Sequence, residues 1–264
     1  MLNHNDLLLK DLGDWGKVLT VDEFMNDVES KLSEMDFNKN NSRLVFSVCP
    51  DDVNRLEEKE TIENALTGAY NGEFHLGGLG AYPIGGVSGI TAASHHPPDD
   101  KGNGERKEGN LVFFLSPHMG IMEKDESPVY GKIIRPGQTK ITSSCGAMMG
   151  FLAALKDAGS VENFTIAPDD NTVDPTRIVL HNELINNYAG QLTQILGIED
   201  YNKQVIELFK LNYDLVTKKA LEMIEEFLEK EHFEGKISAI SGITVNIPGK
   251  DLFVLKDFSF PKPN

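Results

Sequence analysis

The run Arg43-Leu-Val-Phe-Ser-Val-Cys49 constrains the fold of this chain more than any other stretch. It is short and rich in apolar and β-branched residues, which is typical of a strand that is buried on both faces. A second run of the same kind covers Leu111–Leu115. Strands buried on both faces occur in parallel sheets that have helices on either side. The two runs therefore predict an α/β fold built on a parallel sheet.

Helix and hairpin signals surround these two strands. Thr20-Val-Asp-Glu23 is a capping box, and apolar residues follow it at helical spacing. Ser143 or Ser144 is expected to cap a later helix that Gly159 ends. The other predicted elements are a helix over about 53–69, long helices over 174–196 and 201–232, and strands over 236–247 and 252–259 joined by a Pro-Gly turn.

The charge and the apolar pattern exclude several classes of function. A formal charge of −16 over 264 residues argues against binding to nucleic acid or to an anionic membrane, because phosphates would be repelled. No apolar run reaches the length of a membrane span, and the first residues lack the basic start of a signal peptide. We therefore expect a cytoplasmic protein. We expect one α/β domain with an N-terminal helical arm over 1–42, a core over 43–171, and C-terminal helices with a hairpin over 172–264.

Three candidate metal ligands fall at the ends of predicted elements. Cys49 ends the first strand, His118 lies just beyond the second, and Cys145 lies at a helix start. Open parallel sheets bind ligands at the edge where the strands end, so these side chains can converge there. Two thiolates and one imidazole suit zinc and leave a fourth position for water.

The residues alone leave two other interpretations open. Both cysteines can be small buried apolar residues beside a hydrogen-bonded core histidine. Alternatively, Cys145 at a helix N-terminus can act as a nucleophile with His118 as its base, which would make the protein a thiol hydrolase.

Charged residues and further histidines lie near the candidate ligands. Asp51 and Arg55 are four residues apart, so on a helix they share a face and pair, which would hold Asp51 away from the metal. His95 and His96 are rival ligands or proton carriers. The acidic run over 57–60 is expected to be a solvated helix face.

Five motifs in this region follow one another in the order and spacing of a known family. They are CPDDVNR (49–55), HLGGLGAYPIGGVSG (75–89), SHHPPD (94–99), SPHMG (116–120) and SSCG (143–146). On these motifs the chain resembles the limiting-CO2-inducible B/C protein family, which is similar to β-class carbonic anhydrases in fold and site. The resemblance covers roughly 43–155.

The resemblance implies a mostly parallel β-sheet wrapped by helices, as in β-carbonic anhydrases, and a homodimer; the long C-terminal helices rest on the pattern alone. It implies zinc held by Cys49, His118 and Cys145, with Asp51 and Arg55 as a catalytic dyad. The implied activity is the interconversion of CO2 and bicarbonate by attack of zinc-bound hydroxide. His95 or His96 would carry the proton to solvent. Not every member of the family is active alone, so the alternative is a catalytically silent zinc protein that handles CO2 or bicarbonate through a partner.

Overall fold

A mixed sheet of eight strands carries the site in the computed structural model, which describes residues 2–70, 72–95, 109–135, 137–165 and 174–260. Its strands are β1 (Lys17–Thr20), β2 (Ser42–Val48), β3 (Glu73–His75), β4 (Asn110–Ser116), β5 (His118–Lys124), β6 (Ser127–Tyr130), β9 (Ile237–Ile247) and β10 (Lys250–Ser259). A separate two-stranded sheet consists of β7 (Lys132–Ile134) and β8 (Ile141–Ser143). The α-helices of the described residues are α1 (His4–Leu12), α2 (Val21–Glu34), α3 (Ile62–Ala69), α4 (Gly86–Ser94), α5 (Gly146–Ala158), α6 (Pro175–Leu196) and α7 (Tyr201–Lys230).

The centre of the large sheet is parallel, and one edge is antiparallel. Strands β3, β2, β4 and β9 lie side by side in parallel. The hairpin of β9 and β10 and the pairing of β10 with β1 are antiparallel. The mostly parallel α/β fold predicted from the sequence is confirmed, whereas the sequence pattern did not predict β1, which lies within the N-terminal segment.

Both faces of β2 are buried, as its composition predicted. Leu44 and Phe46 pack in one apolar cluster with Phe24 of α2. Val45 points to the opposite face and packs in another cluster with Phe227 of α7. Successive side chains of a strand point to opposite faces, so covering both faces requires an apolar residue at nearly every position.

A break at Pro117 places His118 at the edge of the parallel centre. Strand β4 ends at Ser116 and β5 begins at His118, yet both pair in parallel with the same long strand, β9. The Pro117 carbonyl accepts a hydrogen bond from the Thr244 N–H at 3.0 Å, which bridges the break. His118 therefore lies where β4 ends, beside the end of β2.

Most of the predicted helices and strands are confirmed. The capping box of Thr20 and Glu23 begins α2, and Gly159 ends α5 in the left-handed conformation. The long helices α6 and α7 and the β9–β10 hairpin lie close to their predicted ranges. No helix among the described residues is long and apolar enough to span a membrane.

The helix predicted over about 53–69 is wrong. A 3₁₀ turn covers Asp52–Arg55, and α3 begins only at Ile62, with Thr61 as its cap. Between the two, Lys59 turns inward and pairs with Asp251 of β10, and its side chain is only 3% exposed. The run over 57–60 is therefore not a solvated helix face, because it lies between the two helical elements and its lysine is buried.

The cap predicted for α5 is also wrong. Cys145 itself is the N-cap residue, without a side-chain capping bond, whereas a serine had been expected there. The Ser144 hydroxyl lies instead 3.3 Å from both His118 Nδ1 and Asn246 Oδ1, inside the protein.

Candidate metal centre

Three different elements bring the predicted ligands together. Cys49 follows the end of β2, His118 begins β5, and Cys145 caps α5. One nitrogen and two sulfur atoms of these side chains lie within 4.8 Å of one another, and the two sulfurs are 3.4 Å apart. All three residues are buried, and both cysteines are free thiols. Within the described residues this is the one group of three such side chains that can hold a metal ion.

The histidine nitrogen that faces this cluster supports a metal site. His118 Nε2 is buried and has no hydrogen-bond partner in the described structure. A buried polar atom without a partner costs roughly 1–3 kcal/mol, so proteins rarely keep one without a use for it. The other ring nitrogen, Nδ1, is 2.7 Å from Asn246 Oδ1. A metal ion among the two sulfurs would satisfy Nε2, and this donor set suits a tetrahedral ion with one open position.

The protonation of the three side chains is coupled. A hydrogen bond from Cys49 and the backbone N–H groups of Met148 and Ala147 lower the pKa of Cys145, although burial opposes this. The same contact, together with burial, raises the pKa of Cys49. Burial acts to lower the pKa of His118, but Cys49 and Asp51 outweigh it and raise that pKa to about 9. A cation would replace these protons, so metal binding is coupled to proton release.

Asp51 stands beside the cluster and is held by an arginine. Its Oδ2 is 3.8 Å from His118 Nε2. Both carboxylate oxygens accept hydrogen bonds from Arg135 Nη2, at 2.7 and 2.9 Å. Burial acts to raise the pKa of Asp51, but His118 and Arg135 outweigh it, and the net pKa is lowered. Asp51 is therefore an anion whose direction Arg135 fixes.

The predicted pair of Asp51 and Arg55 is wrong. Arg55 turns away and bonds to Glu63 Oε2 at 2.6 Å and to His75 Nδ1 at 2.8 Å. The prediction assumed an α-helix, in which residues four apart share a face, but the 3₁₀ turn has three residues per turn and separates them. The partner that the structure supplies, Arg135, lies 84 residues further along the chain, so no local spacing could reveal it.

Of the two predicted proton carriers, the structure describes only His95. His95 caps the C-terminal end of α4 and is exposed. His96 lies outside the described residues. His75 stacks on Phe46 with ring centroids 5.5 Å apart and bonds to Arg55.

The two cysteines belong to a large buried apolar cluster. Tyr82 and Met148 are buried in the same cluster as Cys49 and Cys145, and Leu79 packs against that cluster. The turn that carries Leu79 and ends at Tyr82 needs glycine at Gly80, where φ is +62° and an added Cβ would lie 2.9 Å from Leu180. The Gly-rich segment therefore serves close backbone packing next to the cluster.

Comparison with known proteins identifies the family. The profile of the limiting CO2-inducible proteins B/C β carbonic anhydrases matches residues 18–263. A comparison with curated proteins gave no significant match.

Solved structures share the fold. A mutant of PtLCIB4, a homologue of the limiting CO2-inducible protein LCIB, is 24% identical, with a TM-score of 0.77 over 98% of this chain and 94% of that one. LCIB itself is 18% identical, with a TM-score of 0.67 over the full length of both chains. At these identities the structures support the fold alone.

Proposed function

Because the chain belongs to the family of limiting CO2-inducible B/C β carbonic anhydrases, we propose that it is a zinc-dependent carbonic anhydrase that interconverts CO2 and bicarbonate. The observation that carries the proposal is the convergence of Cys49, His118 and Cys145, with the unpartnered Nε2 of His118 facing the two sulfurs. Soft sulfur and imidazole ligands favour zinc over magnesium or calcium, which prefer oxygen.

The chemistry that zinc would supply is a hydroxide nucleophile at neutral pH, because a bound zinc ion lowers the pKa of water to about 7. Cys49, His118 and Cys145 would hold the ion. All three side chains are buried, which shields the cluster from bulk water. The cysteines share their apolar cluster with Tyr82 and Met148, and apolar surroundings of this kind would suit an uncharged substrate such as CO2.

We propose Asp51 as the group that accepts a hydrogen bond from the reacting water and so orients it. Asp51 Oδ2 lies 3.8 Å from His118 Nε2, beside the three side chains that would hold the ion. Arg135 binds both oxygens of this carboxylate and keeps it anionic. Arg135, and not Arg55, is therefore the arginine that pairs with Asp51 in the proposed dyad.

Proton release is assigned to the segment that contains His95 and His96. His95 is exposed at the end of α4, and exposed histidines are suited to pass protons to buffer. We also propose that the protein is a homodimer, as the family resemblance implies.

The thiol hydrolase alternative has less support. Cys145 is 1% exposed and its sulfur contacts the sulfur of Cys49, so a substrate would not reach it. Reactive cysteines are typically partly exposed.

The test is stopped-flow CO2 hydration on protein whose zinc content is measured by mass spectrometry. Cys49→Ser should lose both zinc and hydration, and Ser238→Ala is the matched control, since Ser238 is a buried side chain of β9 outside the cluster. Hydration that persists in zinc-free Cys49→Ser protein would refute the proposal. One zinc per chain with a rate no better than buffer would favour the catalytically silent alternative.

A further inference from the structure

A line of buried polar side chains runs from His118 away from the metal ligands. His118 Nδ1 is 2.7 Å from Asn246 Oδ1, and Asn246 Nδ2 is 3.0 Å from Asp251 Oδ1. Asp251 in turn pairs with Lys59. Asn246 and Asp251 are fully buried, and the side chain of Lys59 is 3% exposed. Burying both charges of an ion pair carries a large desolvation free energy, so a buried pair at this position is expected to have a specific role.

The ion pair fixes which way the Asn246 amide points. Three donors converge on the Asp251 carboxylate: Lys59 Nζ, the N–H of Ile62 and Asn246 Nδ2. Burial raises the pKa of Asp251, while Lys59 opposes this. With three donors aimed at it, the carboxylate acts as an acceptor, so Asn246 must turn its NH2 group towards Asp251.

The same amide has a second fixed contact. Asn246 Nδ2 also lies 3.1 Å from Asn54 Oδ1, and Asn54 Nδ2 donates to the carbonyl of Cys49 at 3.2 Å. Both hydrogens of the Asn246 amide are therefore engaged, and its oxygen is left to face His118. Through Asn54, the backbone of Cys49, a second candidate ligand, is also hydrogen-bonded to Asn246.

An amide oxygen only accepts, so the nitrogen of His118 that faces it must donate. When His118 gives up its second proton to bind a metal, the remaining proton therefore stays on Nδ1, and the lone pair is on Nε2, the nitrogen nearer the two sulfurs. We propose that Asn246, oriented by the Lys59–Asp251 ion pair, is a positioning residue that fixes the tautomer of His118 and thereby the affinity of the metal site. The inference rests on the proposed metal site and not on turnover.

Zinc affinity, measured by competition with a chromophoric chelator, tests this. Groups that orient a ligating histidine typically account for about 10–100-fold in metal affinity. Asn246→Leu should weaken zinc binding by about this factor. The double variant Lys59→Met with Asp251→Asn removes both charges, so no unpaired ion is buried, and it frees the amide to rotate. We expect it to weaken zinc binding about tenfold.

The control is Gln204→Leu, which removes another buried amide. Gln204 is 2% exposed and donates to the Ile195 carbonyl at 2.9 Å, in the α6–α7 region. Its zinc affinity should equal that of the parent protein. Parent-like zinc affinity in folded Asn246→Leu, or in the folded double variant, would overturn the proposal.

A second measurement does not depend on the folding of any variant. Nitrogen-15 chemical shifts of His118 in the zinc-loaded parent protein should show a proton on Nδ1 and none on Nε2. A proton on Nε2 would overturn the proposal. Failure of the parent protein to bind zinc would overturn this inference and the metal site together, whereas zinc binding without CO2 hydration would overturn the proposed function alone.

Discussion

Replacing Arg135 by glutamine tests whether Arg135 orients Asp51, the role that was expected of Arg55. Arg135 Nη2 reaches both oxygens of Asp51, at 2.7 and 2.9 Å. The side chains are 19% and 11% exposed, so solvent screens the contact only weakly. Glutamine is shorter and uncharged, so it cannot hold the carboxylate in the same place.

The size of the effect follows from these contacts. A hydrogen bond to a charged group contributes about 1.5–3 kcal/mol. Because both bonds start from one nitrogen, we assign about 3 kcal/mol to the pair rather than twice the larger value. Since about 1.4 kcal/mol corresponds to a factor of ten, losing this interaction from the transition state should slow the reaction about a hundredfold. We therefore expect kcat/KM for CO2 hydration to fall about a hundredfold.

The assay is stopped-flow CO2 hydration with zinc content measured on the same samples. Arg55→Gln is the matched control, because Arg55 bonds to Glu63 and His75 instead of Asp51. It should keep its rate within a few-fold of the parent rate, and both variants should keep their zinc. A larger loss in Arg55→Gln than in Arg135→Gln would refute the assignment of the dyad.

Three further predictions concern stability, proton release and assembly. Burial raises the pKa of Glu63 from 4.5 to about 7, although Arg55 opposes this. Between these pH values the folded state holds more protons than the unfolded state, so stability falls as the pH rises, by about 3 kcal/mol in all. Urea unfolding should show this loss in the parent protein relative to Glu63→Gln, and parallel pH profiles would contradict it. His95→Ala should slow hydration several-fold in weak buffer and recover with added imidazole, whereas a full rate in weak buffer would argue against this carrier. Ile134 and Ile141 face each other across the β7–β8 pair and are 44% exposed, so Ile134→Glu should weaken the proposed homodimer in light scattering. If Ile134→Glu has the same mass in light scattering as the parent protein, the β7–β8 pair is not part of the dimer interface.

The parts of the fold that local chemistry determines were predictable from the sequence. Apolar β-branched runs predicted β2 and β4, because strands covered on both faces have little choice of residue. The capping box at Thr20 satisfies the free N–H groups of a helix start, so it marks the start of α2. Cys49, His118 and Cys145 were predicted to converge because all three come at the ends of elements that a parallel sheet aligns at one edge.

The parts that depend on distant contacts were not predictable. Lys59 appears in an acidic run and its neighbours are solvated, yet it is buried because Asp251, far along the chain, supplies an opposite charge. Arg135 carries no local signal that it would reach Asp51. Arg55, by contrast, had the spacing of a helical pair, but the chain forms a 3₁₀ turn there. Side-chain partners across the sheet follow from the three-dimensional register, which a local pattern does not contain.

The most direct test of the central claim is the zinc K-edge X-ray absorption spectrum of freshly purified protein. Cys49, His118 and Cys145 predict a first shell with two sulfur atoms at about 2.3 Å and the remaining light atoms, at least one of them an imidazole nitrogen, at about 2.0 Å. Cys145→Ser should lose one of the sulfur atoms from any zinc that stays bound. A first shell without sulfur, or protein that contains no zinc, would contradict the account.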